Sequence, residues 1–323
     1  MSNNKLLIEH IQKLKPKLKI NSIQTYITNL YKICRELGNK SKKDCDLGDL
    51  SFLNDFDAVM KTIKDETLNT RKNRLIAIVV SLKAIEGDKE LIEKYSEEMT
   101  KLAEQSEERV KRQKLTDKQR DNWVSYEELI KLAEKLFDEI KKEEILKKEK
   151  LTRGEYTLLQ DYILLRTYLT FTWRNDFADM KILKSERQDD NKNNFLLLKK
   201  GTPDKFILNQ YKTDSKYGKK SVKIPPSLAK VIKKFLKFNK SGYFLTLQDG
   251  IRPINSNGIT KALNRLFEKH LGKTIGSSLL RHIVISHFRE GSQTIEQIEK
   301  ERKEIEDRFM HSKEMNDQYR NIE

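Results

Sequence analysis

Cysteine is scarce in this 323-residue chain: there are two, Cys34 and Cys45. Neither has metal-ligand partners nearby, so the sequence predicts no disulfide framework and no zinc site, and a reducing compartment fits. Cys34 falls on an apolar helical face and is expected in the core. The opening MSNNKLLIEH lacks the long apolar stretch of a signal peptide, and no uncharged run approaches a membrane span. These absences predict a soluble chain of the cytoplasm or nucleus with no membrane partner. No Asp/Glu/His cluster has ligand spacing, which disfavours a metal-dependent nuclease. No metal and no cofactor are expected, and no internal repeat is present.

Carboxylates are outnumbered. There are 49 Asp+Glu against 65 Lys+Arg, a net charge of +16, and the lysines are spread along the whole chain. A surface that meets a polyanion over a large area has this character, and nucleic acid is the usual polyanion. A lysine-rich composition bias or a solvated surface would give the same count. Apolar residues make up 37% and charged residues 35%. The apolar ones recur periodically, so the chain folds around a core. Its length suits two domains.

The first part reads as all-helical. Leu6, Leu7, Ile8, Ile11 and Leu14 form a short amphipathic stretch ending at Pro16. Asn21-Ser22 is a candidate cap for a helix with Ile23, Tyr26, Ile27, Leu30, Cys34 and Leu37 on one face. Further helices are predicted at about 54–64, 69–86 and 88–108. The 69–86 helix opens with Arg71, Lys72 and Arg74. Cations at a helix N-terminus oppose the macrodipole, so phosphate contact or an ordinary solvated face must explain them. From 105 to 121 the chain is charged and aperiodic, and Lys111, Arg112 and Lys114 make it basic enough to track a nucleic-acid backbone. The division expected is therefore a helical DNA-binding domain over 1–104, a basic linker over 105–121 and a second domain over 122–323.

The second domain opens on a capping box, Ser125-x-x-Glu128. A helix at 153–170 leads into TWRNDFADM. Four short strands follow, at 180–183, 194–199, 205–211 and 221–225. The last two form a hairpin around Lys212-Thr213-Asp214-Ser215-Lys216-Tyr217-Gly218. Helices return at 226–238, at 257–271 and around Arg281. The mixed run 296–308 reads as a solvated helix face.

Two arginines, a hairpin lysine, a histidine and a tyrosine then stand in order: Arg174, Lys212, Arg281, His311, Tyr319. Breaking a phosphodiester without metal needs a nucleophile, charge stabilisation and an acid for the leaving group. A tyrosine can attack phosphorus and store the bond as a phosphotyrosine. Paired guanidinium forks can hold the pentacoordinate state. A lysine can protonate the leaving oxygen. Taken singly, each arginine reads more commonly as a salt-bridge partner, and Tyr319 reads as a surface tyrosine of the tail. Lys216, Lys219 and Lys220 are local rivals to Lys212.

Together these segments resemble the tyrosine recombinase (phage-integrase) family over about 123–323. WRNDFADMKIL is similar to the box of the first arginine, YKTDSKYGKKSVKIP to the lysine hairpin, SSLLRH to the second-arginine box, and MHSKEMNDQY to the closing box. The flavour of RNDFADMKI and NWVSYEEL resembles integrases of large DNA viruses, virophages and Polinton-type mobile elements. The resemblance implies an all-α, core-binding-like N-terminal domain and a mixed α+β catalytic domain, mainly α with a small antiparallel sheet. It implies site-specific DNA recombination or integration by four protomers on two double-stranded DNA sites, through a 3′-phosphotyrosyl intermediate. Tyr319 would be the nucleophile, Arg174 and Arg281 the phosphate clamps, Lys212 the acid, and His311 a hydrogen-bond donor to the phosphate or the leaving oxygen. His282 would be structural and His287 core. Two positions depart from the pattern. Ser278 replaces the usual histidine and cannot act as a base near neutral pH, and Met310 replaces a glycine. Four residues follow Tyr319, so the resemblance implies either a truncated chain or assembly through another surface. A type IB topoisomerase, and a non-catalytic DNA-binding protein on the same fold, are the alternative readings.

Overall fold

The computed structural model describes residues 4–38, 41, 44–111 and 115–289. His311, Met310 and Tyr319 lie outside the described residues, as do Arg112, Lys114 and the run 296–308. The chain divides into two compact units, Met1–Arg112 and Gln113–Glu323.

The first unit is helical throughout its described elements: α1 (Asn4–Leu14), α2 (Ile20–Gly38), α3 (Phe56–Thr62), α4 (Leu68–Ala84) and α5 (Lys89–Lys111). Helix α4 buries Leu75, Ala77, Ile78, Val79, Val80 and Leu82, which leaves it little polar surface. A helix apolar on most sides belongs in the middle of a bundle, and α1, α2 and α5 all pack on α4. The Thr67 hydroxyl caps it by accepting from the Thr70 amide at 3.3 Å.

Three sequence expectations for this unit need correction. Asn21-Ser22 does not cap α2, because the Ser22 amide already bonds the Lys19 carbonyl at 2.9 Å and the helix begins at Ile20. The stretch 105–121 is not an open linker. Helix α5 continues through Lys111, and α6 (Asp117–Asp121) follows with a capping box of Thr116 and Gln119. Finally, Cys34 and Cys45 form a disulfide, with Cα atoms 6.0 Å apart. Cys34 is in the core as expected, but the cysteines no longer argue for a reducing compartment. Closing so short a loop restricts the unfolded chain and contributes roughly 3 kcal/mol.

The second unit is mostly helical with one small sheet. Helix α7 (Tyr126–Lys142) starts on the predicted box, with Ser125 and Glu128 capping each other's backbone amides. Helix α8 (Arg153–Thr170) starts on another, Thr152 with Glu155. Leu159, Ile163, Leu164, Leu165 and Tyr168 bury α8 against α7 and against three later helices: α10 (Pro226–Phe235), α11 (Ser256–Leu271) and α12 (Ser277–Arg289).

The sheet runs in the order β1 (Lys181–Leu183), β2 (Phe195–Lys199), β3 (Thr202–Leu208), β4 (Lys220–Lys223). It is mixed and not wholly antiparallel as expected: β1 runs parallel to β2, and the other two pairings are antiparallel. The cause is the chain between β1 and β2, which crosses back over 184–194 before re-entering the sheet. The predicted hairpin is present as β3 and β4, with Leu208 opposite Lys220. Its loop holds a single helical turn, α9 (Asp214–Tyr217).

Among the described residues no helix is long and apolar enough to cross a membrane.

Candidate functional site

The site starts where α8 ends. Phe171 leaves the helix in an extended conformation. Trp173 and Phe177 are then fully buried and stack at 4.9 Å, with Phe206 and Phe244 packed around Phe177 at 5.5 and 6.2 Å. These rings pin both ends of a short bend. Between them Arg174, Asn175 and Asp176 remain half-buried at the surface.

Two asparagines fix this bend from opposite sides. The Asn175 side-chain amide donates to the Ser256 carbonyl at 2.8 Å, the Ser256 hydroxyl at 3.1 Å and the Thr260 hydroxyl at 3.0 Å, which ties the bend to the start of α11. Its oxygen accepts from the Tyr168 hydroxyl at 2.9 Å, and that hydroxyl also lies 3.1 Å from the Arg174 carbonyl. On the other side, the Asn194 amide donates to the Asp176 carbonyl at 3.0 Å and to the Gln210 carbonyl at 2.8 Å. Its oxygen accepts from the Asn209 and Gln210 amides, both at 2.9 Å. Gln210 lies two residues before Lys212. The arginine bend and the lysine loop are thus clamped to one side chain.

Asp176 is the electrostatic centre. Burial pushes its pKa up to about 6, against the opposing pull of Arg174 first and Arg281 second. Asp214 adds a smaller upward push. The Tyr168 hydroxyl is raised by burial and by Asp176, and lowered by Arg281. The Tyr211 hydroxyl is raised by burial, then by Asp214, Tyr217 and Asp176. Each of these influences falls off with distance. Arg174, Arg281 and the 211–214 segment flanking Lys212 therefore share one neighbourhood.

Arg281 is 2% exposed and sits in the second turn of α12. Ser278 lies one turn earlier on the same helix and is exposed. Lys212 is exposed in the hairpin loop. Its rivals are engaged: Lys219 pairs with Asp189, while Lys216 and Lys220 stand 5.1 and 5.2 Å from the Tyr217 ring. Asp176, Asn175 and Asn194 were missed in the sequence. The signal available for the first two was their place beside Arg174 between two buried aromatics.

Other expected positions fare differently. Arg74 does not face phosphate: it is buried, with Glu36 at 2.5 Å and Glu66 also paired to its guanidinium. Two carboxylates satisfy a cation that the fold has taken out of water. Arg71 and Lys72 are half-buried, and the Lys72 ammonium donates to the Ser106 hydroxyl at 3.2 Å. Lys111 ends α5. His287 is not core; it stacks on Tyr126 at 4.2 Å and lies 3.4 Å from a Glu127 oxygen. Among the described residues no group of three or more His, Cys, Asp or Glu could hold a metal ion.

No family model matches the sequence, and no curated protein matches it. Among solved structures, the chain is similar to the crystal structure of XerA recombinase, with a TM-score of 0.39 and 11% identity over 99% of this chain and 94% of that one. A superposition this loose leaves the functional reading to rest on the side chains themselves.

Proposed function

We propose that this chain is a tyrosine recombinase, a DNA strand transferase that cleaves and rejoins double-stranded DNA without metal. The observation that carries the proposal is the Asn194 side chain joining the Arg174–Asp176 bend to the strand end before Lys212, with the electrostatic pull of both Arg174 and Arg281 on Asp176 beside it. These groups come from three separate parts of the second unit, and a salt-bridge role for either arginine alone gives no reason to gather them.

In this reading the two guanidinium groups bind the nonbridging oxygens of the scissile phosphate and stabilise the pentacoordinate state, which carries more negative charge than the ground state. Asp176 orients them. Lys212 protonates the departing 5′ oxygen. Tyr319 attacks phosphorus and becomes a 3′-phosphotyrosine, which a 5′-hydroxyl reverses. His311 donates to the phosphate, and Ser278 supplies a hydroxyl near Arg281 but no base. Arg71, Lys72, Lys111, Arg112 and Lys114 lie in or next to the first unit and would add contacts to the DNA backbone, which carry affinity but little sequence information. Strand exchange would need four protomers on two sites, as in integrases of mobile elements.

Single substitutions Arg174→Ala and Arg281→Ala test the core of this reading. Cleavage of a nicked duplex is expected to fall at least 100-fold, the scale of lost oxyanion stabilisation, while DNA affinity changes less than about threefold in the same assay. Equal loss of cleavage and binding would assign the arginines to structure.

A further inference from the structure

A groove on the second unit lies apart from the residues around Asp176. It runs between α7 and α10, with Phe137, Ile140, Leu146, Leu159, Tyr162 and Val231 as its floor. Two connected hollows of about 450 and 170 Å³ share Ile140, Leu146 and Lys234. Phe137, Leu146 and Val231 are only partly buried, so the floor keeps apolar surface in contact with water.

The rim is lysine. Lys141 and Lys147 line one wall, and Lys230, Lys234 and Lys237 the other. Lys141 is held by Asp138 at 3.0 Å and Lys147 by Glu144. No carboxylate pairs with Lys230, Lys234 or Lys237 among the described residues. Residues 219–240 contain eight lysines and no Asp or Glu. Lysines late in a helix favour its dipole, which accounts for Lys141 and Lys234. Dipole stabilisation does not account for Lys230, in the middle of α10, whose spacing from Lys234 sets two like charges one turn apart.

We propose that this groove docks an acidic amphipathic helix of a partner protein. The apolar floor takes that helix's apolar face at i, i+3, i+4 and i+7, and the lysine rim takes its carboxylates. The lysine stems extend the apolar wall while their ammonium groups stay at the edge. Duplex DNA would satisfy the lysines but would leave the floor in water, since its phosphate rows present no apolar group.

The test uses the full chain and a labelled synthetic helical peptide with leucine at those four spacings and glutamate on its other face. Fluorescence anisotropy reads binding of the peptide and of a polyglutamate of equal charge. The leucine-bearing peptide is expected to bind, with the polyglutamate at least tenfold weaker. Lys230→Glu/Lys234→Glu is expected to weaken the peptide at least tenfold with an unchanged melting temperature. Val231→Ser, which leaves every charge in place, is expected to weaken it as well. No binding, equal binding of polyglutamate, or indifference to both variants would overturn the proposal. So would displacement of the peptide by duplex DNA in the Arg174→Ala/Arg281→Ala background. Cross-linking of Lys234 to residues 290–323 of the same chain would assign the groove to that segment instead.

Discussion

Asp176 feels the pull of two arginines, Arg174 and Arg281, and still resists ionisation. Its folded pKa of about 6 lies above the ordinary 3.8, because burial outweighs Arg174 and Arg281 together. The folded state therefore binds more protons than the unfolded chain between those values, and stability falls as pH rises from about 4 through 6. Asp176→Asn removes this titration. Relative to the parent chain, the variant is expected to be more stable at pH 8 than at pH 4 by about 2 kcal/mol, discounted for partial exposure. Urea melts at the two pH values measure the difference, and an equal gap at both would contradict the burial of this carboxyl. The variant also separates structure from chemistry. A better-folded protein that cleaves DNA more slowly is what an orienting carboxylate predicts.

At the scale of elements, one helix shows how sequence periodicity informs and misleads. The first turns of α4 carry Arg71, Lys72 and Arg74 as a single basic cluster. A cluster on paper becomes three environments in space, because successive helical positions point about a quarter-turn or more apart. Arg74 turns inward to Glu36 and Glu66. Removing it leaves two carboxylates without their cation, so Arg74→Ala is expected to cost about 3 kcal/mol of folding stability. DNA affinity measured below the melting range should hardly change. The reverse pattern, an intact fold with weakened DNA binding, would restore Arg74 to the phosphate contacts.

The same limits explain what else was legible. Capping boxes and apolar stripes act within a few residues, so the starts of α7 and α8 and the buried face of α2 could be read directly. The lysine hairpin was legible from its alternation and turn residues. Long-range pairings were not. The Cys34–Cys45 disulfide depends on how the chain turns back after α2, and the parallel pairing of β1 with β2 depends on a crossover that strand propensity does not encode. Asn194 joins backbone groups 16 and 18 residues away. Its role follows from the sheet, and an asparagine at the start of a predicted strand gives no sign of it.

For the whole molecule, a charge of +16 spread over two units and the grouping of Arg174, Arg281 and the Lys212 loop near Asp176 are what the proposed function builds on, in which a basic protein would grip duplex DNA and transfer one phosphodiester to itself. The most direct measurement is covalent trapping. A duplex nicked near the cleavage position loses its short 5′-hydroxyl fragment by diffusion, so the protein–DNA bond cannot reverse. Incubated without divalent metal and run on a denaturing gel, the parent chain is expected to give a band shifted by one covalently attached strand. Peptide mapping of that band is expected to place the DNA on Tyr319, and Tyr319→Phe is expected to bind the duplex with no shifted band. A covalent band that persists in Tyr319→Phe, or no band from the parent chain on any nicked duplex it binds, would contradict the account.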